Sequence, residues 1–147
     1  MNNEPNTDVT IVKIVDGDAV DVDIELGFDI CLRNQRIRIN GIDSPESRTS
    51  DPVEKVFGLL AKNKVKEILT NSEYSAKLIV SDVPDKFGRI LGDFIDKDGK
   101  KLSEILINDG YCATYHGGNK DEVKEQHLAN RQKLIDKGLA IMDLNDT

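Results

Sequence analysis

Sulfur and imidazole are scarce in this chain. Its 147 residues include two cysteines, Cys31 and Cys112, and two histidines, His116 and His127. Neither cysteine has a CxxC partner or a zinc-ligand neighbour, so both read as reduced thiols rather than as a redox pair or a metal clip. The histidines match no metal-binding spacing and read as surface or loop-packing residues. His116 is the more notable, lying between Tyr115 and Gly117-Gly118. Basic charge is also short, with a net charge of −7. A protein that binds nucleic acid indiscriminately does so through a broad basic field that displaces counterions from phosphates. This chain lacks that field. A polyanion would have to be held by a local cluster, or the acidic excess would have to be offset by bound cations.

Long apolar runs are missing too, and none approaches the roughly 18 residues that span a bilayer. The opening MNNEPNTD has neither a basic n-region nor an apolar h-region. That predicts a cytoplasmic protein with a flexible tail over residues 1–7. No repeat or low-complexity linker divides the remainder, so residues 8–142 are expected to form one domain, followed by a tail over 143–147. No GxSxG and no Ser/His/Asp arrangement is visible, so nothing points to acyl transfer.

What is present alternates. Val9–Val15 and Ala19–Leu26 are predicted strands joined across Asp16-Gly17-Asp18, since Asp-Gly is a strong hairpin signal. Turn residues fall around Gly27 and Asn34. Residues 36–42, RIRINGI, alternate as a third strand. A helix is predicted from Pro52, with Asp51 as N-cap and Glu54 at the capping-box position. Val53, Val56, Phe57, Leu60, Ala61, Val65, Ile68 and Leu69 recur on it at helical spacing. Residues 76–83 and Ile90–Ile95 read as a hairpin across PDKFG. Leu102–Asp109 reads as a short helix stopped by Gly110, and Asp121–Lys137 as a last helix stopped by Gly138. Strands this short bury little as an open sheet. The order therefore predicts an α+β fold, mainly β: a five-stranded OB-type barrel with three helices.

One stretch resists the alternation. VDGDAVDVD, residues 15–23, puts four aspartates into nine positions. Side chains alternate across a strand, so Asp18, Val20, Val22, Ile24 and Leu26 share one face, and Ala19, Asp21, Asp23 and Glu25 the other. The second set is a solvated face. Asp18, however, ends the apolar row. Ile37, Ile39, Gly41 and Asp43 also share a parity, so Asp43 ends a second one. Carboxylates there are costly unless paired or metal-bound. The alternatives are that both strands have already ended and the aspartates cap turns, or that a bulge at Gly41 changes the register.

The neighbours favour a site. Glu46 lies three residues beyond Asp43, next to Pro45. Arg38 has the opposite parity to Asp43 and reaches the same place only if the strand twists or bulges near Asn40-Gly41. Arg89 follows DKFG, where a tight turn with a solvated arginine is the plainer reading. Together, two aspartates and a carbonyl would make an all-oxygen site for a hard divalent cation. A third carboxylate could orient or deprotonate water. Two guanidiniums could hold a phosphate and stabilise the charge gathering at phosphorus. The set suits phosphodiester hydrolysis.

IVDGDAV, RINGIDSPE, DKFGRILGDF and EQHL occur in the order and approximate spacing of staphylococcal-nuclease-like (thermonuclease) domains, and the resemblance runs from about Val9 to Leu139. It implies an OB-fold barrel with three helices that hydrolyses DNA and RNA with calcium, cleaving the 5′-oxygen–phosphorus bond to leave 3′-phosphates. It further implies Asp18 and Asp43 as calcium carboxylates, the Ser44 carbonyl as a third ligand, and Glu46 as the residue that activates or positions the attacking water. Arg38 and Arg89 resemble the phosphate-gripping arginines. Tyr115 resembles a tyrosine lining the nucleotide pocket, Phe87 stands where a substrate-binding tyrosine is usual, and Asp16 falls on an acidic position behind the metal ligands. Ala19 departs from the usual threonine after DGD, and Ser44 from a common threonine. The longer segment IELGFDICLRNQ and the run YHGGNK resemble cytoplasmic, often phage-encoded members. The expectation is a monomeric, calcium-dependent nuclease with nucleic acid as its partner. The competing readings are an inactive binding module of the same fold and an unrelated metal-binding OB module.

Overall fold

Branched side chains at alternate positions turn the first third of the chain into a continuous antiparallel ribbon. The computed structural model describes residues 6–70, 76–81, 89–96, 98–115 and 120–140. Strand β1 spans Asn6–Asp16, β2 Ala19–Gly27 and β3 Ile30–Ile39. They are followed by β4 (Ile42–Asp43), α1 (Pro52–Leu69), β5 (Lys77–Val80), β6 (Ile90–Ile95), α2 (Leu102–Asn108), β7 (Ala113–Thr114) and α3 (Lys120–Asp136). Strands β1, β2, β3, β6 and β5 close into a barrel in that order. Its only parallel pairing is β3 with β6, where Ile37, Ile39 and Arg38 face Ile90, Gly92 and Leu91. The expected α+β architecture, five barrel strands with three helices, is the one that forms, closed by the β1–β5 and β3–β6 pairings. Among the described residues no helix is long and apolar enough to cross a membrane.

The alternation in β2 holds: Val20, Val22 and Ile24 are buried while Asp21 and Asp23 face outward. They meet Ile14, Ile37, Ile39, Leu78 and Phe94 in the barrel core. Each side chain of this size taken from water contributes about 1.5–3 kcal/mol. Helix α1 begins as predicted. Asp51 accepts from the N–H groups of Val53 and Glu54 at 2.9 and 3.2 Å. The capping box is not completed by Glu54, because the Asp51 N–H donates to Thr49 Oγ1 instead. Ala61, Val65 and Leu69 cover the barrel, while Phe57 joins Leu134 and Ala140 in a second cluster against α3.

The structure moves several boundaries. β1 begins at Asn6, inside the expected tail, because Asn6, Thr7 and Asp8 pair with Ile79, Leu78 and Lys77 through main-chain bonds that need no apolar pattern. β3 begins at Ile30, well before the predicted start. The turn signal at Gly27 marks a tight two-residue loop, with Phe28 and Asp29 at φ 54° and 62°. Asn34 is no turn. It sits at φ 56° in a bulge where Arg33 and Asn34 together oppose Asp23, whose carboxylate accepts the Asn34 N–H at 2.9 Å. The predicted third strand also ends early. Gly41, at φ 82°, turns the chain out of the barrel, and Ile42 and Asp43 pair with Thr114 and Ala113 in a separate two-stranded sheet. The hairpin tip PDKFG lies outside the described residues.

Two glycines are required by space. A Cβ on Gly17 would meet Ser44 Oγ and lie 2.7 Å from the Ala61 Cβ. One on Gly58, in α1, would strike the Glu46 carbonyl and lie 2.6 Å from Ser47 N. The helix can approach the segment 44–47 only because both side chains are absent. Gly58→Ala is expected to lower stability by about 1–3 kcal/mol, the cost of overpacking a filled interface. Urea denaturation checks this against the exposed neighbour Leu59→Ala, and equal midpoints for the two variants would contradict the account.

Candidate active site

The Asp16-Gly17-Asp18 turn is the starting point. The Asp18 main-chain oxygen accepts from Ile39 N–H at 2.8 Å, fixing the turn to the end of β3. Asp18 Oδ2 accepts from Ser44 N–H at 3.0 Å. Asp16 Oδ1 accepts from Ser47 N–H at 3.2 Å and from the Ser47 hydroxyl. The two aspartates therefore grip both ends of the segment Ser44–Ser47. Glu46 sits inside that segment and is exposed, while Ser44 and Ser47 are buried.

Arg38 reaches the turn in spite of its parity, because the chain bends away from the barrel directly after it. Its Nη1 donates to the Ile39 carbonyl at 2.9 Å and its Nη2 to the Ile42 carbonyl at 2.8 Å. Nη1 also stands 3.5 Å from Asp18 Oδ2, and both side chains are mostly covered. Guanidinium has five N–H donors. Nε–H and the second Nη2–H have no acceptor among the described residues.

Burial pushes the Asp18 carboxyl above its ordinary value. Arg38 and the Ser44 N–H pull it back, and the like charges of Asp43 and Asp16 push it up again. Asp43 is thus near enough for its charge to act on Asp18. Asp43 is held from the other side by His127, whose Nε2 lies 2.8 Å from Asp43 Oδ2. The Asp43 carboxylate can only accept, so Nε2 donates in this bond, and Nδ1 is buried without a hydrogen-bond partner among the described residues. Two further residues of α3 fasten it to β7 and the residue before it: Gln126 Oε1 accepts from Thr114 N–H, and Asn130 Nδ2 donates to the Cys112 carbonyl.

His127 escaped the sequence reading, which placed it on the surface or in a loop. The available signal was the clustering of Val123, Gln126, His127, Asn130 and Leu134 on one face of a predicted helix. Cys31 and Cys112 are both free thiols, and Cys112 is buried beside Gly17.

The structure brings Asp16, Asp18, Arg38, Asp43 and Ser44 together, with Glu46 on the gripped segment. Arg89 is exposed and immediately precedes β6, whose first residue, Ile90, pairs with Ile37. Arg36 is already paired with Asp21, at 2.8 and 3.1 Å. Tyr115 donates its N–H to the Gly41 carbonyl and shares a pocket with Asp43. Phe87 and His116 lie outside the described residues. Among the described residues no three His, Cys, Asp or Glu side chains gather as a metal cluster. The donor set present, two carboxylates that repel one another beside main-chain oxygens, fits a hard cation that keeps several waters.

The family model for staphylococcal nuclease homologues matches residues 36–138. This chain belongs to that family. It is 27% identical to Endonuclease YhcR of Bacillus subtilis (strain 168) over 108 residues, 70% of this chain and 8% of that protein. It is 29% identical to the SPbeta prophage-derived endonuclease YokF of the same organism over 103 residues, 70% of this chain and 32% of that protein. An uncharacterized endonuclease of Escherichia coli is 26% identical over 125 residues, 84% of this chain and 72% of that protein. The chain thus spans less than a third of each Bacillus relative and most of the Escherichia coli one. The common ground is a nuclease family.

The raised pKa has a consequence for stability. At neutral pH the folded protein holds Asp18 charged where protonation would suit it better, a cost that vanishes when the group is neutral in both folded and unfolded chains. Asp18→Asn retains an acceptor for Ser44 N–H and removes the charge. Without metal it is expected to raise Tm at neutral pH, with the gain fading as the pH falls through the raised folded-state value toward the ordinary 3.8 and gone below it. A lower Tm at neutral pH in the presence of chelator would show that Arg38 and Ser44 outweigh burial.

Proposed function

We propose that this protein is a calcium-dependent nuclease that hydrolyses phosphodiester bonds of DNA and/or RNA, breaking the 5′-oxygen–phosphorus bond and leaving 3′-phosphates. The observation that carries the reading is Asp18, a carboxylate kept in a buried place where Asp43 and Asp16 add like charge and Arg38 lies alongside. Membership of a nuclease family supports it. In this reading Asp18, Asp43 and the Ser44 carbonyl hold the calcium ion. Such an ion, when bound, polarises the phosphodiester and offsets charge developing at phosphorus.

The remaining work falls to protein groups. Glu46 orients the attacking water and accepts its proton. The bonds from Ser44 to Asp18 and from Ser47 to Asp16 hold the backbone of the segment that carries Glu46. Arg38 has its Nη atoms tied to the Ile39 and Ile42 carbonyls, which leaves Nε–H and one Nη–H for phosphate oxygens. Donors fixed in advance stabilise a transition state without reorganising. Arg89 supplies the second guanidinium from the neighbouring strand, and Tyr115 and Phe87 line the nucleotide.

Plasmid nicking with millimolar calcium at alkaline pH tests the reading, with chelated samples as controls. Plasmid and single-stranded DNA both left intact with calcium would leave an inactive binding module of the same family. Arg38→Ala and Arg89→Ala are each expected to raise the barrier by about 3 kcal/mol, roughly a hundredfold in rate. Rates within about threefold of wild type would remove the arginines from the chemistry. Asp43→Asn is expected to weaken calcium binding in titration calorimetry, a readout independent of turnover.

A further inference from the structure

Asp43 ends a strand of two residues, and its main chain pairs with Ala113. A carboxylate on so short a support keeps its side-chain freedom unless something else orders it, and ordering it at the moment of binding lowers affinity. Here α3 has done the ordering. His127 Nε2 lies 2.8 Å from Asp43 Oδ2. The ring is largely covered, while the carboxylate stays open to water. Asp43 Oδ1 has no hydrogen-bond partner among the described residues. The ring is placed by its own helix: Val123, Asn130 and Leu134 lie on the same face, the first and last of them buried and Asn130 bonded to the Cys112 carbonyl. His127 Nδ1 is buried without a partner. An unpartnered polar atom of that kind costs free energy that an apolar side chain would not. Packing therefore does not account for an imidazole here. Its bond to Asp43 is the one polar contact it makes among the described residues.

Resting on the nuclease reading above, we propose that His127 is a positioning residue for the cation: its Nε2–H holds Oδ2 of Asp43 and leaves Oδ1 to meet the ion. It touches neither ion nor substrate. Ligands at metal centres are commonly hydrogen-bonded in this way, because the outer group fixes the direction from which the ligand atom meets the metal. Imidazole suits the place better than lysine or arginine. It donates without a permanent positive charge, so Asp43 keeps its attraction for a cation. The carboxylate pair is then held by two different clamps. The Ser44 N–H holds Asp18, and a side chain of α3 holds Asp43. Two groups that repel one another are each fixed before an ion arrives, and the ion gains affinity because it need not order them.

Calcium titration calorimetry on the intact chain tests this with three variants. His127→Leu removes the donor and is expected to raise the calcium Kd about tenfold. His127→Gln keeps an Nε2–H for Asp43 and is expected to stay within about threefold of wild type. Asn130→Ala unfastens α3 from the Cys112 carbonyl without touching Asp43, and is also expected to stay within about threefold. In plasmid nicking, His127→Leu is expected to need about tenfold more calcium for half its maximal rate. Its rate at saturating calcium should stay within about threefold of wild type, since a bound ion itself orders the carboxylate. Wild-type calcium affinity in His127→Leu would overturn the proposal. An equal loss in Asn130→Ala, or no recovery in His127→Gln, would make the residue a fastener of the helix and overturn it as well. A fall in the saturated rate with Kd unchanged would place His127 in the chemistry and overturn it too. If leucine weakens calcium binding and glutamine restores it, yet nothing is cut, the positioning role stands and the nuclease reading fails. A wild type that binds no calcium overturns both.

Discussion

Everything at the candidate site depends on the grip of one turn on one segment. Asp18 and Asp16 accept from the main-chain N–H groups of Ser44 and Ser47, and these bonds join the start of β2 to a stretch about thirty residues later that has already left the barrel. Without them, Glu46 would sit on a loop with one less anchor and Asp43 on a two-residue strand held by β7, α3 and the bond from Arg38 to the Ile42 carbonyl. The grip in turn needs Gly17 and Gly58, because α1 lies directly against it. A side chain at either position would force the helix and the segment apart.

The site is expensive in its present form. The barrel core and the contacts of α1 and α3 hold Asp18 where burial and two neighbouring carboxylates oppose its charge. A protein that needed only to fold would place an apolar or amide side chain there. Natural proteins tolerate such costs at positions where function requires a charge, and the surrounding structure carries the deficit. Arg38 shows the same economy of motion. Its guanidinium is spread over two carbonyls and lies close to Asp18, so the donors without an acceptor among the described residues are held in a fixed place.

Much of the fold was legible because hydrophobic periodicity is local. The parity of Val20, Val22 and Ile24, the spacing of Phe57, Ala61, Val65 and Leu69, and the Asp51-Pro52 start of α1 all follow from residues close in sequence. The failures share a cause. β1 begins at Asn6 because main-chain pairing with distant β5 extends it past its apolar pattern, and β3 begins at Ile30 because main-chain pairing with β2 across a two-residue loop does the same. Gly27 and Asn34 both look like turn residues, yet one borders a hairpin and the other makes a bulge, and only the partner strand distinguishes them. The pairing of β4 with β7 joins residues about seventy positions apart with two residues on each side, too few to leave any pattern.

For the site, the sequence alone determined the parts. Asp18 and Asp43 each end an apolar row, Glu46 and the arginines accompany them, and the motifs carrying these residues occur in a recognisable order. That information is chemical and local, so it survives in one dimension. Only the tertiary structure decided how the parts meet: Arg38 turning inward past Gly41, Asp16 taking hold of Ser47, and His127 reaching Asp43 across eighty-four positions. Those outcomes depend on where the closed barrel sets α1 and α3. Barrel closure is a property of all five strands together, and no single stretch of residues encodes it.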